Sequence, residues 1–336
     1  MDISAVISKS EFQDLTERID WDSLEGRKIL ITGATGMVGS WLTTALLLGA
    51  QEGKLAEIQV DALVHSGYIS NLKAFQEYKN LQLIDIENLF QTKSHDYDLV
   101  IHAASPASPQ LFRNRDTLFN INVGFLRKLI DYSRNIPEVI YFSTGEVYGA
   151  GHTEPVSEVS DCRINLELER SMYPLAKLAA EKFLIESSTE IKLKFSIFRL
   201  FHTFGPGMRI GDGRSFADFI WDGALRKKPR LYSNGSQVRS FLYLEDMVAA
   251  VLGIKRDNSI MNLGSEFPVS IKDFASIVSE ESGLSGELDF SKDNLNFRGS
   301  PNDMLLPDIS LIKSKGWEQR IPVRTGISRS IEWARR

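Results

Sequence analysis

The chain has 336 residues, 43% of them apolar and 25% charged, with a net charge of −5. That balance is ordinary for a globular enzyme of about two domains, and it gives no reason to expect nucleic acid or an anionic membrane as a partner. The single cysteine, Cys162, excludes an internal disulfide and a cysteine-based metal site. No apolar run approaches the ~20 residues that span a bilayer, and Met1–Lys9 lacks the pattern of a secretory leader. A cytoplasmic location is the expectation, and no metal site is predicted.

Residues 1–26 form a polar lead-in, with Phe12, Leu15, Ile19 and Leu24 near helical spacing. From Lys28 onward, short apolar runs alternate with longer helical patterns. Strands are predicted at Lys28–Thr32, Ile58–Val64, Leu81–Asp85, Leu99–Ala103, Val139–Ser143 and Lys194–Arg199. Helices are predicted at Gly36–Leu48, Thr117–Arg134 and Met172–Ser188. Apolar strands alternating with helices predict an α/β fold, a Rossmann-like doubly wound parallel sheet over residues 27–199. After Arg199 the pattern changes. Gly205-Pro-Gly207 and Gly211-Asp-Gly213 open a smaller mixed α/β lobe, residues 200–336, that takes the substrate, with part of 240–264 returning to the first domain. Ligands of open α/β sheets bind at the carboxyl ends of the strands, so the lobe is expected to close over that edge.

The first strand runs into Gly33-Ala-Thr35-Gly36-Met37-Val38-Gly39 and then into a helix. Glycines in that context let backbone approach a pyrophosphate at a helix N-terminus, where free N–H groups and the helix dipole favour an anion. These residues are therefore assigned to a dinucleotide, NAD, with NADP left open. An acid ending the second strand would bond ribose hydroxyls, and two registers are possible: one ends at Asp61, the other runs on to His65-Ser66. The second buries a more continuous apolar run and makes His65 the cofactor residue. Asp85 and Ile86, ending the next strand, are placed for the adenine, and Ala103, Ala104 and Ser105 follow the fourth strand.

Tyr173 and Lys177 stand four apart on a predicted helix and share a face. An ammonium near a phenol lowers the phenol's pKa, so Tyr173 is expected to pass a proton near neutral pH. Together with the glycine turn, with Ile101-His-Ala-Ala104 and with Thr144-Gly-Glu146-Val-Tyr148-Gly149, this order of motifs resembles the extended short-chain dehydrogenase/reductases that modify nucleotide sugars. Those enzymes are epimerases, 4,6-dehydratases and UDP-glucuronate decarboxylases, and the resemblance covers about residues 27–320. It implies Tyr173 as the acid or base for a sugar hydroxyl, Lys177 on the nicotinamide ribose, and Thr144 on the same hydroxyl. It implies Glu146 as a base toward a 4-keto intermediate, as in the dehydratases and decarboxylases. Asn122, or Asn120, would open the helix beside the cofactor. Arg239 would grip the substrate diphosphate, with Arg209 and Arg214 adding charge, and Ser108 and His202 would touch substrate. A homodimer is implied through the helices at Thr117–Arg134 and Met172–Ser188.

Three positions depart from that pattern. Gly145 stands where the dehydratases carry an aspartate. Leu305 stands where the decarboxylases carry an arginine, with Arg298 near in sequence. His202 stands where an asparagine is usual, and a histidine there could titrate near neutral pH.

Overall fold

In a computed structural model of the chain, the described residues are 6–65, 70–91, 96–106, 115–132, 137–286, 288–290 and 304–336. The lead-in helix α1 (Lys9–Thr16) begins at a capping box: the Ser8 side chain accepts from the Glu11 N–H, and the Glu11 carboxylate accepts from the Ser8 N–H. Phe12 and Leu15 on the helix are buried, and Ile19 and Leu24, in the turns that follow its end at Thr16, join them in the core.

β1 (Lys28–Thr32), β2 (Gln59–Val64), β3 (Leu81–Asp85), β4 (Leu99–His102), β5 (Glu138–Thr144) and β6 (Lys194–Leu200) form a parallel sheet in the order 3-2-1-4-5-6. Between them lie α2 (Met37–Gln51), the short α3 (Ile86–Leu89), α4 (Arg115–Phe119), α5 (Phe125–Tyr132) and α6 (Met172–Ile191). Alternation along the strands divides the core. Ile29, Ile31, Ile101 and Phe142 pack on the face covered by α2. Leu30, Val100, Val139 and Tyr141 pack on the face covered by α5 and α6. This is the double winding expected of near-continuous apolar strands.

The second part of the chain contributes β7 (His202–Phe204), α7 (Ser215–Ala224), β8 (Arg230–Leu231), β9 (Val238–Tyr243) and α8 (Leu244–Gly253). It continues with β10 (Ser259–Leu263), β11 (Pro268–Ser270), α9 (Ile271–Glu281), β12 (Asp289–Phe290), β13 (Met304–Leu305), α10 (Ser310–Ser314) and α11 (Val323–Ala334). β10 pairs with β6 in parallel as the seventh strand of the main sheet. β9 pairs with β7, β11 and β13 in a small separate sheet.

β2 takes the longer of the two registers, with Leu30 opposite Asp61 and the strand continuing to Val64. Asp61 is fully buried inside it. It accepts hydrogen bonds from Tyr97 and Gln59, with Lys28 Nζ at 3.6 Å. These partners explain how a carboxylate sits in an apolar strand. The predicted helix at 117–134 is interrupted instead by one π turn, Asn120–Gly124, between α4 and α5. The turn leaves Asn122 fully buried and Asn120 exposed. Among the described residues no helix is long and apolar enough to cross a membrane.

Candidate active site

Gly33 lies at φ +65°, and a Cβ there would stand 2.7 Å from the Ala104 backbone. A Cβ on Gly39 would stand 2.3 Å from the Gly33 carbonyl oxygen. Both positions therefore require glycine, one for its conformation and one for a close approach. The Gly36 N–H donates to Gly33 O, and Gly36 enters α2 with no side-chain cap. The first N–H groups of a 15-residue helix thus open at the carboxyl edge of the sheet. Thr35 and Ala104 complete the turn; the Ala104 N–H donates to Thr32 Oγ1. This cradle fits a dinucleotide pyrophosphate, and Gly33, Thr35, Gly36, Met37, Val38 and Gly39 would hold it. His65 ends β2 on the surface. Asp85 caps α3, accepting from the Glu87 N–H at 2.9 Å, with Ile86 next to it.

Beside the cradle a cavity of about 1100 Å³ brings together residues from both parts of the chain. Tyr173 enters it from the first turn of α6, where Pro174 is tolerated because its missing N–H has no helical partner to lose. The Tyr173 hydroxyl is hydrogen-bonded to the Thr144 and Ser105 hydroxyls. Ser105 donates to Asn122 Oδ1 at 2.9 Å, and Asn122 donates to Leu118 O. The π turn thus selects Asn122 over Asn120 as the residue tied to the phenol's surroundings. Ala103 lines the same wall.

Tyr173 and Lys177 are both buried, but the ammonium does not act on the phenol as expected. Lys177 Nζ donates to Phe142 O at 2.7 Å and lies 4.8 Å from the centroid of the Tyr141 ring. Burial pushes Lys177 down to about 7, opposed by Glu181. The Tyr173 phenol is held above its usual value, first by burial and then by the Glu146 carboxylate; Arg214 is the cation that opposes this.

Glu146 sits in the single turn after β5, and its N–H donates to Thr144 Oγ1. Its carboxylate is engaged: Arg170 Nη2 lies 2.8 Å from both Oε1 and Oε2. Arg170 is absent from the residues expected from sequence. Its only signal was its place one turn before Tyr173, on the same side.

His202 on β7 lines the cavity with its edge toward Phe216 and Phe241. Burial, then Arg239, Arg214 and Arg170, push it down to about 3. The expected titration near neutral pH is therefore corrected: three neighbouring guanidinium groups and low hydration keep the ring neutral. Its Nδ1 is buried and makes no hydrogen bond among the described residues. Arg239 is buried on β9 and donates to Val238 O. Arg214 pairs with Asp212 and stacks over Phe216, and Arg209 also lines the cavity. Ser108 and Arg298 lie outside the described residues.

The sequence model of the NAD dependent epimerase/dehydratase family matches residues 29–264, which include the cradle, Thr144, Tyr173 and Lys177. The chain belongs to this family. UDP-glucuronic acid decarboxylase 1 of Xenopus tropicalis is 30% identical over 315 residues, covering 92% of this chain and 72% of that protein. The Arabidopsis thaliana UDP-glucuronic acid decarboxylase 3 is 28% identical over 89% of this chain and 86% of its own length. Two solved structures share the fold. UDP-N-acetylglucosamine 4-epimerase from Methanobrevibacter ruminantium M1 superposes with a TM-score of 0.79 at 22% identity, over 92% of this chain and 98% of that one. The UDP-glucose 4-epimerase of Thermotoga maritima gives 0.77 at 22%, over 91% and 98%. The chain is thus an NAD-dependent enzyme.

Within that family frame two departures have a physical basis. A Cβ on Gly145 would meet the Phe201 ring at 2.8 Å, so the place of an acidic side chain is taken by an aromatic one. Phe201 in turn packs against Tyr148. Leu305 is buried at the cavity wall, in register with Arg239, and brings no charge there.

Proposed function

We propose that this enzyme oxidises a nucleotide-diphosphate sugar transiently at C4 and acts on the resulting ketone. The observation that carries this reading is the Tyr173 hydroxyl bonded to Thr144 and Ser105 inside a cavity flanked by the glycine cradle. When bound, NAD supplies the hydride acceptor. The remaining work falls to the chain's own groups. Thr144 fixes the position of the sugar oxygen, and Tyr173 exchanges its proton. Arg214 lowers the cost of the phenolate against burial and Glu146. Lys177 and Asn122 orient the cofactor side. Arg239, Arg209 and Arg214 supply donors for a diphosphate, and the neutral His202 adds a hydrogen-bonding edge without a further charge.

The outcome at the ketone divides the family's chemistries. Gly145 leaves no acid to protonate a departing hydroxyl, which argues against 4,6-dehydration. Epimerisation needs only return of hydride to the opposite face. Loss of carbon dioxide is the second reading, favoured by the relatives' activity and opposed by Leu305. Incubating the holoenzyme with a panel of nucleotide sugars and weighing the products decides. Unchanged mass with a new isomer means epimerisation, loss of water dehydration, and loss of carbon dioxide decarboxylation. No change with any nucleotide sugar would sink the proposal.

The same reading includes a homodimer built on α4–α6. A groove there is lined by Phe119, Leu175, Met172 and Ala179, and Phe119 is 45% exposed. Twofold association would cover it. Light scattering at micromolar concentration should report two chain masses; one chain mass would refute it.

A further inference from the structure

The lead-in segment, residues 6–27, lies before the stretch matched by the family model, which begins at residue 29. It is nevertheless built into the body. A Cβ on Gly49 of α2 would run into the Trp21 ring, and one on Gly253 of α8 into the Arg18 carbonyl. Both helices thus present bare backbone where the segment crosses them. Arg18 donates to Asp246 at 2.6 Å and to Glu318 O at 2.9 Å. One contact of the segment leads toward the cavity: Glu11, buried in the first turn of α1, accepts the Tyr243 hydroxyl at 2.5 Å. Tyr243 ends β9 and is buried; burial, then Glu11, pushes its phenol well above the usual value, so it stays a donor. Glu11 is its one hydrogen-bond acceptor among the described residues.

From Tyr243 two paths of packed side chains reach the cavity. Its ring meets Trp41 of α2 edge to face, with centroids 5.7 Å apart. The Trp41 indole N–H donates to Pro206 O at 2.9 Å, in the loop that carries Gly207, Met208 and Arg209 along the cavity wall. On the second path Phe204 stands opposite Tyr243 in the β7–β9 pairing, and His202 opposite Phe241. Tyr243, Phe204, Phe241 and His202 touch in succession, at centroid separations of 5.7, 6.3 and 5.6 Å. Arg239 shares a face of β9 with Phe241 and Tyr243. The Tyr243 ring has no slack: a Cβ on Gly326 would stand 2.7 Å from it, and one on Gly205 3.2 Å. Close-packed rings pass a displacement on to their neighbours, because the interior has no free volume to absorb it.

We infer that Glu11 is a positioning residue for the substrate side of the cavity. It fixes Tyr243, and through Tyr243 the place of the Gly205–Arg209 loop and of β9, which carries Arg239. A buried hydroxyl deprived of its acceptor favours any shift that finds it another, and a shifted Tyr243 ring moves Trp41, Phe204 and what they hold. The inference rests on the reading of Arg239 and Arg209 as diphosphate donors and goes past it: a segment outside the matched stretch is part of how they are held. The cofactor side is left alone, because the cradle is set by the backbone contacts of Gly33 and Gly39.

The test measures two affinities by calorimetry on the full chain: UDP for the NAD-loaded protein, and NAD for the free protein. Glu11→Ala should weaken UDP by roughly 5- to 20-fold and NAD by less than about twofold. Tyr243→Phe removes the hydroxyl but keeps the ring, and should weaken UDP by roughly threefold. In that background Glu11→Ala should change UDP binding by less than about twofold, since its route to the site is already cut. Ser8→Ala removes the other half of the capping box without touching the phenol. It should lower resistance to urea and leave UDP binding within about twofold of wild type. Should Glu11→Ala fail to fold, Tyr243→Phe carries the test alone, through its loss of UDP affinity at unchanged NAD affinity. Unchanged UDP binding in Glu11→Ala, equal losses for UDP and NAD, a full loss in the Tyr243→Phe background, or an equal loss in Ser8→Ala would each overturn the inference and leave the nucleotide-sugar reading standing. Failure of UDP to bind the wild-type protein would strike that reading, and the inference with it.

Discussion

The two sides of the cavity are built by different means. The cofactor side is backbone: a glycine turn, a helix N-terminus and the Ala104 N–H, packed so closely that one added methyl at Gly39 would stand 2.3 Å from a carbonyl oxygen. The substrate side is side chain, and its charges are already paired, Glu146 with Arg170 and Arg214 with Asp212. A backbone cradle holds one shape regardless of charge. Ion pairs partly open to water can exchange partners. The fixed side suits a cofactor common to the whole family, and the exchangeable side suits recognition of a particular sugar.

The largest expected effect lies where the two sides meet. Tyr173→Phe should lower turnover by roughly 10²–10⁴-fold, the range for losing a general acid or base, with the fold retained by circular dichroism. Near-wild-type turnover would remove the phenol from the chemistry.

Two glycine substitutions then separate the sides. Gly39→Ala should weaken NAD binding by roughly 10- to 100-fold, about 1.4–2.8 kcal/mol, measured by fluorescence titration. Gly145→Ala should leave NAD binding intact and cost about 1–3 kcal/mol of stability through overpacking against Phe201, measured by urea unfolding. If both variants lost NAD equally, the contrast between a cofactor glycine and a packing glycine would fail.

Acid should disturb the backbone side through His102. This histidine is buried behind the cradle, hydrogen-bonded through Nδ1 to Thr32 Oγ1 at 2.7 Å. Burial, with Lys177 nearby, pushes it down to about 3. The unfolded chain takes up the proton first, near 6.5. The contribution of neutral His102 is therefore full above that value and is lost as pH falls from about 6.5 toward 3. By pH 5 the loss should be roughly 2 kcal/mol, and His102→Asn should flatten the difference between urea unfolding at pH 7 and pH 5. An unaltered pH profile in that variant would contradict the assignment.

The smallest effect distinguishes two asparagines. Asn122→Ala removes the acceptor for Ser105 and should cost about 1 kcal/mol, a roughly fivefold drop in turnover; Asn120→Ala should be silent. Equal effects would mean that the π turn does not decide which one serves the site.

What the chain alone determined is what local pattern can carry. Alternating apolar strands and helices imply the parallel sheet, because strands buried on both faces must be apolar along their length. Gly33, Gly36 and Gly39 imply the cradle because the turn is local, and the four-residue spacing of Tyr173 and Lys177 places them on one helical face. Tertiary structure decided the rest. The longer register of β2 became definite only when Tyr97, Gln59 and Lys28 surrounded Asp61. Asn122 was separated from Asn120 by one π turn that spacing along the chain does not announce. The direction of the Lys177 ammonium, the neutrality of His202 and the pairing of Glu146 with Arg170 depend on groups brought together from distant parts of the sequence. Charge and hydration act through space, at distances only the folded chain defines.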